Sequence, residues 1–506
     1  MTDNQDRKFK VLLVHANTSM DTLIPPALAT LSACLKKAGN EVRLFDTTFY
    51  NWRGFTGDDA RVMTLQVKET KFTDFGINFK TTDMTEDFIH VVEDYEPDLI
   101  GVSAVEVTFN LGLKLINAAK SIRPNTVVIV GGSLALTAPE RVISERNIDI
   151  VCIGEAENAF VELCEKLKKK EDHTKILNLW VKRDEKIYKN RLGNLIDIDD
   201  LPYQDWEIFD RDRMYKPMSG QIRKTGCFEL TRGCVYSCTF CIQEHLNKVH
   251  GHKNYREKNI HKFIDEVKYF KDNYDLQYVY ILAEMFLPTT KQRVRDFSRL
   301  WKEKVGLPFW CQLRVEGVDE ENARLLEEAG CVSVTAGIES GNEEFRKKVL
   351  HRMMTNQKII EAYRILKKTK MQVSGNSIIG LPGETREMIF DTIELNRLIN
   401  LNNIMVHAFT PYRGTSLYEI SVERGYIPAD HIAGDYRSDY TLNMPQISRE
   451  EILGLHRTFA MYCKFPKEMW PEIEIAEKFD EEGNKKFEEL SKIFKEKFFE
   501  KPLLMH

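Results

Sequence analysis

No run of this chain approaches the ~18 consecutive apolar residues of a membrane-crossing helix, so no membrane span is expected. The opening MTDNQDRKFK is polar and leads straight into a short apolar strand. It lacks the apolar core of roughly 7–15 residues that a secretory signal needs, which predicts a cytoplasmic protein. Basic residues are not in surplus: 72 Lys and Arg face 77 Asp and Glu, a net charge of −5. That balance gives no broad cationic surface, and no nucleic-acid partner is expected. With 42% hydrophobic and 29% charged residues the composition is that of a globular protein, and 506 residues are too many for one ordinary domain.

In a reducing compartment the ten cysteines read as buried apolar residues or ligands rather than disulfides. Cys34, Cys152, Cys164, Cys311, Cys331 and Cys463 stand singly in apolar strand or helix patterns, and predict plain core positions.

Two α/β series organise the chain. In residues 1–170, strands are predicted at Val11–His15, Val42–Asp46, Leu99–Ala104, Val127–Val130 and Ile148–Ile153. They alternate with helices at Pro26–Lys37, Thr85–Asp94, Leu111–Ala119, Pro139–Glu145 and Ala159–Lys168. The pattern predicts a doubly wound, Rossmann-like parallel sheet. Residues 49–83 are long for a connection in such a fold. Residues 171–224 read as an interdomain linker that packs on one or both neighbouring domains, with a hairpin over Leu179–Leu192 and an acidic run over Ile196–Trp206.

The second series, 225–425, has strands at Phe228–Thr231, Tyr278–Leu282, Phe309–Val315, Val332–Ala336, Val373–Ile379 and Ile404–Phe409. Its clearest helix carries the stripe Phe263, Ile264, Val267 and Phe270. Six β-α units predict a partial or complete parallel barrel with its chemistry at the strands' carboxyl ends. Residues 426–506 predict a mostly helical C-terminal region whose charged last helix, Glu481–Lys501, faces solvent.

The most informative stretch is TRGCVYSCTFC, Thr231–Cys241, which puts Cys234, Cys238 and Cys241 on one loop after the first barrel strand. Iron–sulfur clusters normally take four thiolates, so three leave one iron open. A structural zinc site wants four closed ligands, and His245 or Cys227 could complete one here. CxxxCxxC with an aromatic, Phe240, before its third cysteine resembles the signature of the radical S-adenosylmethionine (SAM) superfamily. The resemblance implies a [4Fe-4S] cluster held by Cys234, Cys238 and Cys241, whose open iron is chelated by SAM. Reductive cleavage of SAM then yields a 5′-deoxyadenosyl radical, while the protein supplies positioning and electrostatics.

Further segments carry the same resemblance. It implies that Glu284, in ILAEMF, contacts the SAM ammonium, where many relatives have an aspartate pair. Arg314, in CQLRVEG, and Glu339, in GIESG, end the third and fourth strands. They are candidates for the SAM carboxylate, ribose or substrate, or for an ion pair closing the rim. The run Ser377–Thr385, with Ile378 and Gly380, resembles the strand and turn bordering the adenine. In Pro411–Thr415, Arg413 replaces the usual proline and would add a cation near the mouth of the site. Tyr412, Arg413, Tyr436, Tyr440 and His407 are candidates for the substrate pocket.

The first series resembles the cobalamin-binding class of this superfamily. The matches are Pro25-Pro26-Ala27-Leu28 at the first helix, Gly131-Gly132-Ser133 after the fourth strand, and Gly154-Glu155-Ala156-Glu157 after the fifth. No Asp-x-His-x-x-Gly motif offers cobalt a histidine, and His15 reads as a satisfied strand-end residue. The resemblance implies a lower corrin face covered by the loops at Ser103, Ala104 and Val105 and at Gly132–Leu134. It also implies a methyltransferase that moves a methyl group from SAM, through methylcobalamin, to an unactivated carbon of a small-molecule substrate, with an electron donor such as flavodoxin or ferredoxin. An oxidative cyclase or ring-rearranging enzyme with the same cofactors is the alternative, and a non-catalytic corrinoid or redox-sensing module is a third. Methylthiolation is disfavoured, because Cys34, Cys152 and Cys164 lack the spacing of a second triad.

Overall fold

The computed structural model describes residues 7–18, 21–50, 56–218, 221–287, 290–401, 403–435, 437 and 439–499. They form two compact units, 1–56 with 72–215 and 57–71 with 216–506.

The first unit holds a seven-stranded sheet ordered β2-β1-β3-β4-β5-β6-β7. Its strands are β1 (Lys10–His15), β2 (Glu41–Asp46), β3 (Leu99–Ser103), β4 (Val127–Gly131), β5 (Ile150–Cys152), β6 (Leu179–Arg183) and β7 (Lys186–Lys189). The first five are parallel and β6 and β7 antiparallel. Val11, Leu12, Leu13 and Val14 are all wholly buried, as befits a central strand covered on both faces. Local chemistry sets the helix ends. Pro26 opens Pro26–Lys37, where its missing N–H costs nothing, and Lys36 and Lys37 sit at the negative end of its dipole. Asp83 caps Met84–Tyr95 through the amides of Thr85 and Glu86, at 2.7 and 3.0 Å.

Strand order reverses between β1 and β3, the switch point at which open α/β sheets bind ligands at their carboxyl ends. The hairpin predicted within a linker is instead β6 and β7, which extend this sheet: Ile150, Val151 and Cys152 pair with Val181, Trp180 and Leu179. Apolar Leu179 and Val181 are fully buried, so a free linker would leave core residues in water. The acidic run packs on the same unit, with Asp205 accepting from Ser32 Oγ (2.6 Å) and pairing with Lys36 (2.8 Å).

The second unit holds a curled sheet ordered β16-β15-β14-β13-β12-β9-β8. After β8 (Tyr215–Met218) and β9 (Gln221–Glu229) come two short strands, β10 (Thr231–Arg232) and β11 (Arg256–Glu257), which pair with each other. Then follow β12 (Tyr278–Leu282), β13 (Phe309–Leu313), β14 (Cys331–Glu339), β15 (Gln372–Ile379) and β16 (Asn403–Ala408). From β9 to β16 every neighbouring pair is parallel, giving a partial (β/α)6 barrel that stays open at β16. The predicted stripe is buried in the helix Ile260–Tyr274.

Residues 426–506 pack in this unit through the helices Arg449–Lys464, Trp470–Ala476 and Glu481–Phe498. The long connection 49–83 divides: 57–71, with the helix Gly57–Met63, belongs to the second unit and the remainder to the first. No described helix is long and apolar enough to cross a membrane.

Candidate active site

The three cysteines lie on the loop between β10 and the helix Ile242–His250, at the carboxyl edge of the barrel. A close backbone crossing shapes the loop: Gly233 has φ +86°, and a Cβ there would run into the Asn254 carbonyl. Thr239 Oγ1 ties the loop to Val349 O at 2.6 Å, and Leu417 N to Thr239 O at 3.1 Å. Cys234 and Cys238 are buried and Cys241 half-buried.

Burial raises the Cys234 thiol and pushes Cys241 up to about 12, and the neighbouring thiols and Glu284 add to both shifts. Iron would have to displace these protons to bind, so cluster loading is coupled to proton release. Among the described residues no three or more His, Cys, Asp or Glu side chains are arranged around a single metal ion. A cubane takes each thiolate on a different iron and so tolerates wider sulfur separation than mononuclear zinc. The donor set of three thiols on one loop therefore fits a [4Fe-4S] cluster.

Two charged side chains flank this loop. Arg314, just past β13, donates from Nη1 to Cys238 Sγ at 3.5 Å and lies 3.7 Å over the Tyr236 ring. Its Nη2 holds Glu316 at 2.5 Å. Glu284, two residues past β12, is exposed. Desolvation by the neighbouring protein pushes its carboxyl up to about 7, with Glu229 adding to the rise. Gln243 Nε2 donates to Glu284 Oε1 at 3.3 Å and Asn254 Nδ2 to Gln243 Oε1 at 2.9 Å. Neither Gln243 nor Asn254 carried a sequence signal, because an amide is ordinary anywhere on a polar helix and only the fold brings these two to Glu284.

A rim pair between Arg314 and Glu339 is not what forms. Glu339 pairs with Arg352, at 3.0 Å, and Arg352 Nη2 also donates to Gly337 O at 3.0 Å. The β14–β15 register shifts between Gly337 and Glu339, and Glu339 has φ +63°, so a bulge re-aims its side chain. Burial raises the Glu339 carboxyl, against the pull of Arg352 and then Arg314.

An apolar cavity of about 250 Å³ adjoins the loop, lined by Phe240, Ile378, His407, Ala408, Phe409, Thr410 and Tyr412. Gly380, past β15, has φ +77°, and its close neighbour is the Tyr440 ring, whose Oη donates to Gly380 O at 2.9 Å. Buried Glu384 Oε2 accepts from Gly380 N and Leu381 N at 2.7 and 3.1 Å. The glycine thus serves the chain's own turn rather than a ligand's approach, and Tyr440 packs behind that turn. Arg413 does not stand as a cation at a mouth. It donates to the carbonyls of His431 and Ala429, both at 3.1 Å, and so fastens the C-terminal segment. Tyr436 lies outside the described residues.

In the first unit, Ser103, Ala104 and Val105 meet Gly131, Gly132 and Ser133 at the carboxyl ends of β3 and β4. Ser103 is in register with Gly131, and Ala104 N donates to Gly131 O at 2.8 Å. Gly132 has φ +104°, and a Cβ there would strike the Ala104 carbonyl. Val105, just past β3, is an exposed apolar residue at 41%. After β5, Gly154 packs on Asn178, and Glu155 Oε2 accepts from Ile196 N at 2.8 Å. His15, expected to be satisfied, has a buried Nδ1 without a hydrogen-bond partner among the described residues, and burial pushes its pKa down to about 4.

Comparison with known proteins matches this division. The radical SAM superfamily model matches residues 228–395 and the B12 binding domain residues 13–164. An uncharacterized methyltransferase of Pyrococcus horikoshii is 26% identical over 399 residues, 78% of this chain and 84% of its own. Cytidylyl-2-hydroxyethylphosphonate methyltransferase of Streptomyces wedmorensis is 24% identical over 500 residues, 89% of each chain. In fold, the chain is similar to the radical SAM methyltransferase TsrM of Kitasatospora setae, solved with cobalamin and a [4Fe-4S] cluster. The TM-score is 0.63 at 16% identity, over 97% of this chain and 100% of that one. A [4Fe-4S] cluster, SAM and cobalamin are the cofactors these two domains use. With both domains present in order, the chain belongs to the B12-binding radical SAM family.

Proposed function

We propose that this protein is a cobalamin-dependent radical SAM methyltransferase, moving a methyl group from SAM by way of cobalamin to an unactivated carbon of a small or medium-sized metabolite. The observation that carries the reading is the loop of Cys234, Cys238 and Cys241 flanked by the Glu284 carboxylate and the Arg314 guanidinium, with an apolar cavity beside Phe240. When bound, the cluster and SAM supply one-electron cleavage to a primary carbon radical, and cobalamin supplies a carrier for the methyl group.

The chain's own groups position and exclude water. Cys234, Cys238 and Cys241 hold the cluster, and Arg314 steadies the Cys238 thiolate by a charge-assisted hydrogen bond. Glu284, oriented by Gln243, accepts from the SAM ammonium. The aromatic cavity of Phe240, Ile378, Phe409 and Tyr412 receives the adenosyl end, with the Gly380 turn behind it, and Glu339, held by Arg352, faces the ribose or substrate. Ser103–Val105 and Gly131–Ser133 cover the lower corrin face, while Gly154 and Glu155 fix the turn after β5. The first unit, 1–56 with 72–215, binds cobalamin, the strands from β9 to β16 carry the radical chemistry and the helices after residue 426 cover the barrel. A flavodoxin or ferredoxin supplies the electron in the cytoplasm.

Anaerobic purification with cluster reconstitution and hydroxocobalamin tests the reading, with metal analysis and an assay for 5′-deoxyadenosine and S-adenosylhomocysteine. About four irons and one cobalt per chain, with both products, is the expected result. Zinc with no SAM cleavage would overturn it. A product lighter by hydrogens, rather than heavier by one methylene, would move the enzyme to the cyclase alternative.

A further inference from the structure

Among the described residues β16 ends the barrel sheet and has no strand on its outer side. Its outward N–H and C=O groups need partners, since buried backbone groups left unpaired are costly. Residue 66, some 340 positions upstream, provides them. Val406 N donates to Gln66 Oε1 at 3.1 Å, and Gln66 Nε2 donates to Val406 O at 2.9 Å. One side-chain amide thus reproduces the paired donor and acceptor of a neighbouring strand. Gln66 Nε2 also donates to Thr64 Oγ1 at 2.9 Å, which fixes which end of the amide faces which group. Gln66 is buried, and His456 Nε2 lies 3.2 Å from the same Val406 carbonyl.

The residues that follow Val406 make most of the cavity wall: His407, Ala408, Phe409, Thr410 and Tyr412. The segment carrying Gln66 lies between two stretches of the first unit in sequence, yet packs within the second. It also brings Arg61 near His407. Burial first, then Arg61, His456 and Arg437, push the His407 imidazole down to about 3 and keep it neutral in the wall.

We infer that Gln66 is a positioning residue for SAM: its amide clamps Val406 and so sets the strand end that walls the cavity beside the cluster loop. The inference rests on the proposed reading that this cavity takes the adenosyl end. Gln66 touches no reacting atom and acts through the backbone of β16.

The test uses the full-length, cluster-reconstituted protein with Gln66→Leu and Gln66→Glu. Amide exchange is followed over 403–409, and 5′-deoxyadenosine formation is measured against SAM concentration. Losing a buried hydrogen-bonded pair is worth about a tenfold change, so Gln66→Leu should speed exchange at Val406 about tenfold and raise KM for SAM about tenfold. The rate at saturating SAM should stay within about threefold, because nothing that contacts the transition state is lost. Gln66→Glu, when ionised, still accepts from Val406 N–H but cannot donate to its carbonyl, and when protonated replaces both bonds imperfectly, so it should fall between the two; if the leucine variant does not fold, this variant decides. Unchanged protection at Val406, or faster exchange with an unchanged KM, would overturn the inference. A wild-type protein that forms no 5′-deoxyadenosine would remove the reading of the cavity instead, since the exchange experiment needs no SAM.

Discussion

The carboxyl ends of β3 and β4 in the first unit and those of the barrel strands are built from different materials. At β3 and β4 the residues that meet are Ser103, Ala104, Val105, Gly131, Gly132 and Ser133, while the charge of that sheet edge lies at β1 and β2, where Asp46 pairs with the buried Arg213 at 3.3 Å beside His15. The ends of β3 and β4 are shaped by backbone passing backbone at Gly132 and Ala104, which leaves Val105 exposed. In the barrel, Arg314 and Glu284 flank the thiols, Glu316 pairs with Arg314, and Glu339 pairs with Arg352. A large flat macrocycle needs a surface that fits, whereas a zwitterionic sulfonium ligand and a charged cluster need fixed charges in a site that excludes water. The ends of β3 and β4 are therefore defined by backbone shape, and the barrel strand ends by charge.

Changes that affect one edge and spare the other test this contrast. The largest effect should come from Cys238→Ala, which removes one of three cluster ligands. Iron should fall to background and 5′-deoxyadenosine with it, while hydroxocobalamin still binds, as its absorption spectrum would report. Loss of cobalamin as well would mean that the edges are not independent.

Next is Arg352→Met, which leaves Glu339 buried without its partner. Breaking a buried pair costs about 3–5 kcal/mol, read from urea unfolding of the barrel, and proton uptake by Glu339 sets the lower end of that range. At the other edge, Gly132→Ala puts a Cβ against the Ala104 carbonyl at a φ that side chains avoid. About 1–3 kcal/mol of strain should weaken cobalamin binding in a titration and leave iron content unchanged.

The smallest effect concerns pH. Glu284 binds an ammonium only when ionised, and its carboxyl is raised to about 7. SAM affinity should therefore fall as pH drops through about 7 and level off above it. Glu284→Gln should bind more weakly at high pH and lose the dependence, and a wild-type profile flat from pH 6 to 8 would remove Glu284 from the ammonium site.

Sequence periodicity and spacing made most of this fold legible. Strands such as Tyr278–Leu282 and helices such as Pro26–Lys37 depend on runs that are apolar on both faces, or on caps within a few residues, and both are visible locally. The hairpin at 179–189 was legible as a hairpin but not as part of the first sheet, because Leu179 and Val181 reveal alternation and not the strand they will pair with. Partner choice was hidden for the same reason. Arg314 and Glu339 end adjacent strands and invite pairing, but a bulge at Glu339 and the approach of Arg352 redirect both. Arg413 was expected to add a cation near the mouth of the site, and only the fold brings the carbonyls of 429 and 431 onto it.

By itself the sequence determined the order of two α/β units, the three-cysteine loop and the residue types at the strand ends. These follow from backbone propensity, hydrophobic period and short-range ligand spacing, all carried within about a dozen residues. Only tertiary structure decided that 57–71 joins the barrel, that Gln66 stands in for a strand beside Val406, and that Gln243 and Asn254 lead to Glu284. Each of these depends on hydrogen-bonding groups brought together across long stretches of chain. A polar side chain carries no mark of its distant partner until burial obliges it to find one.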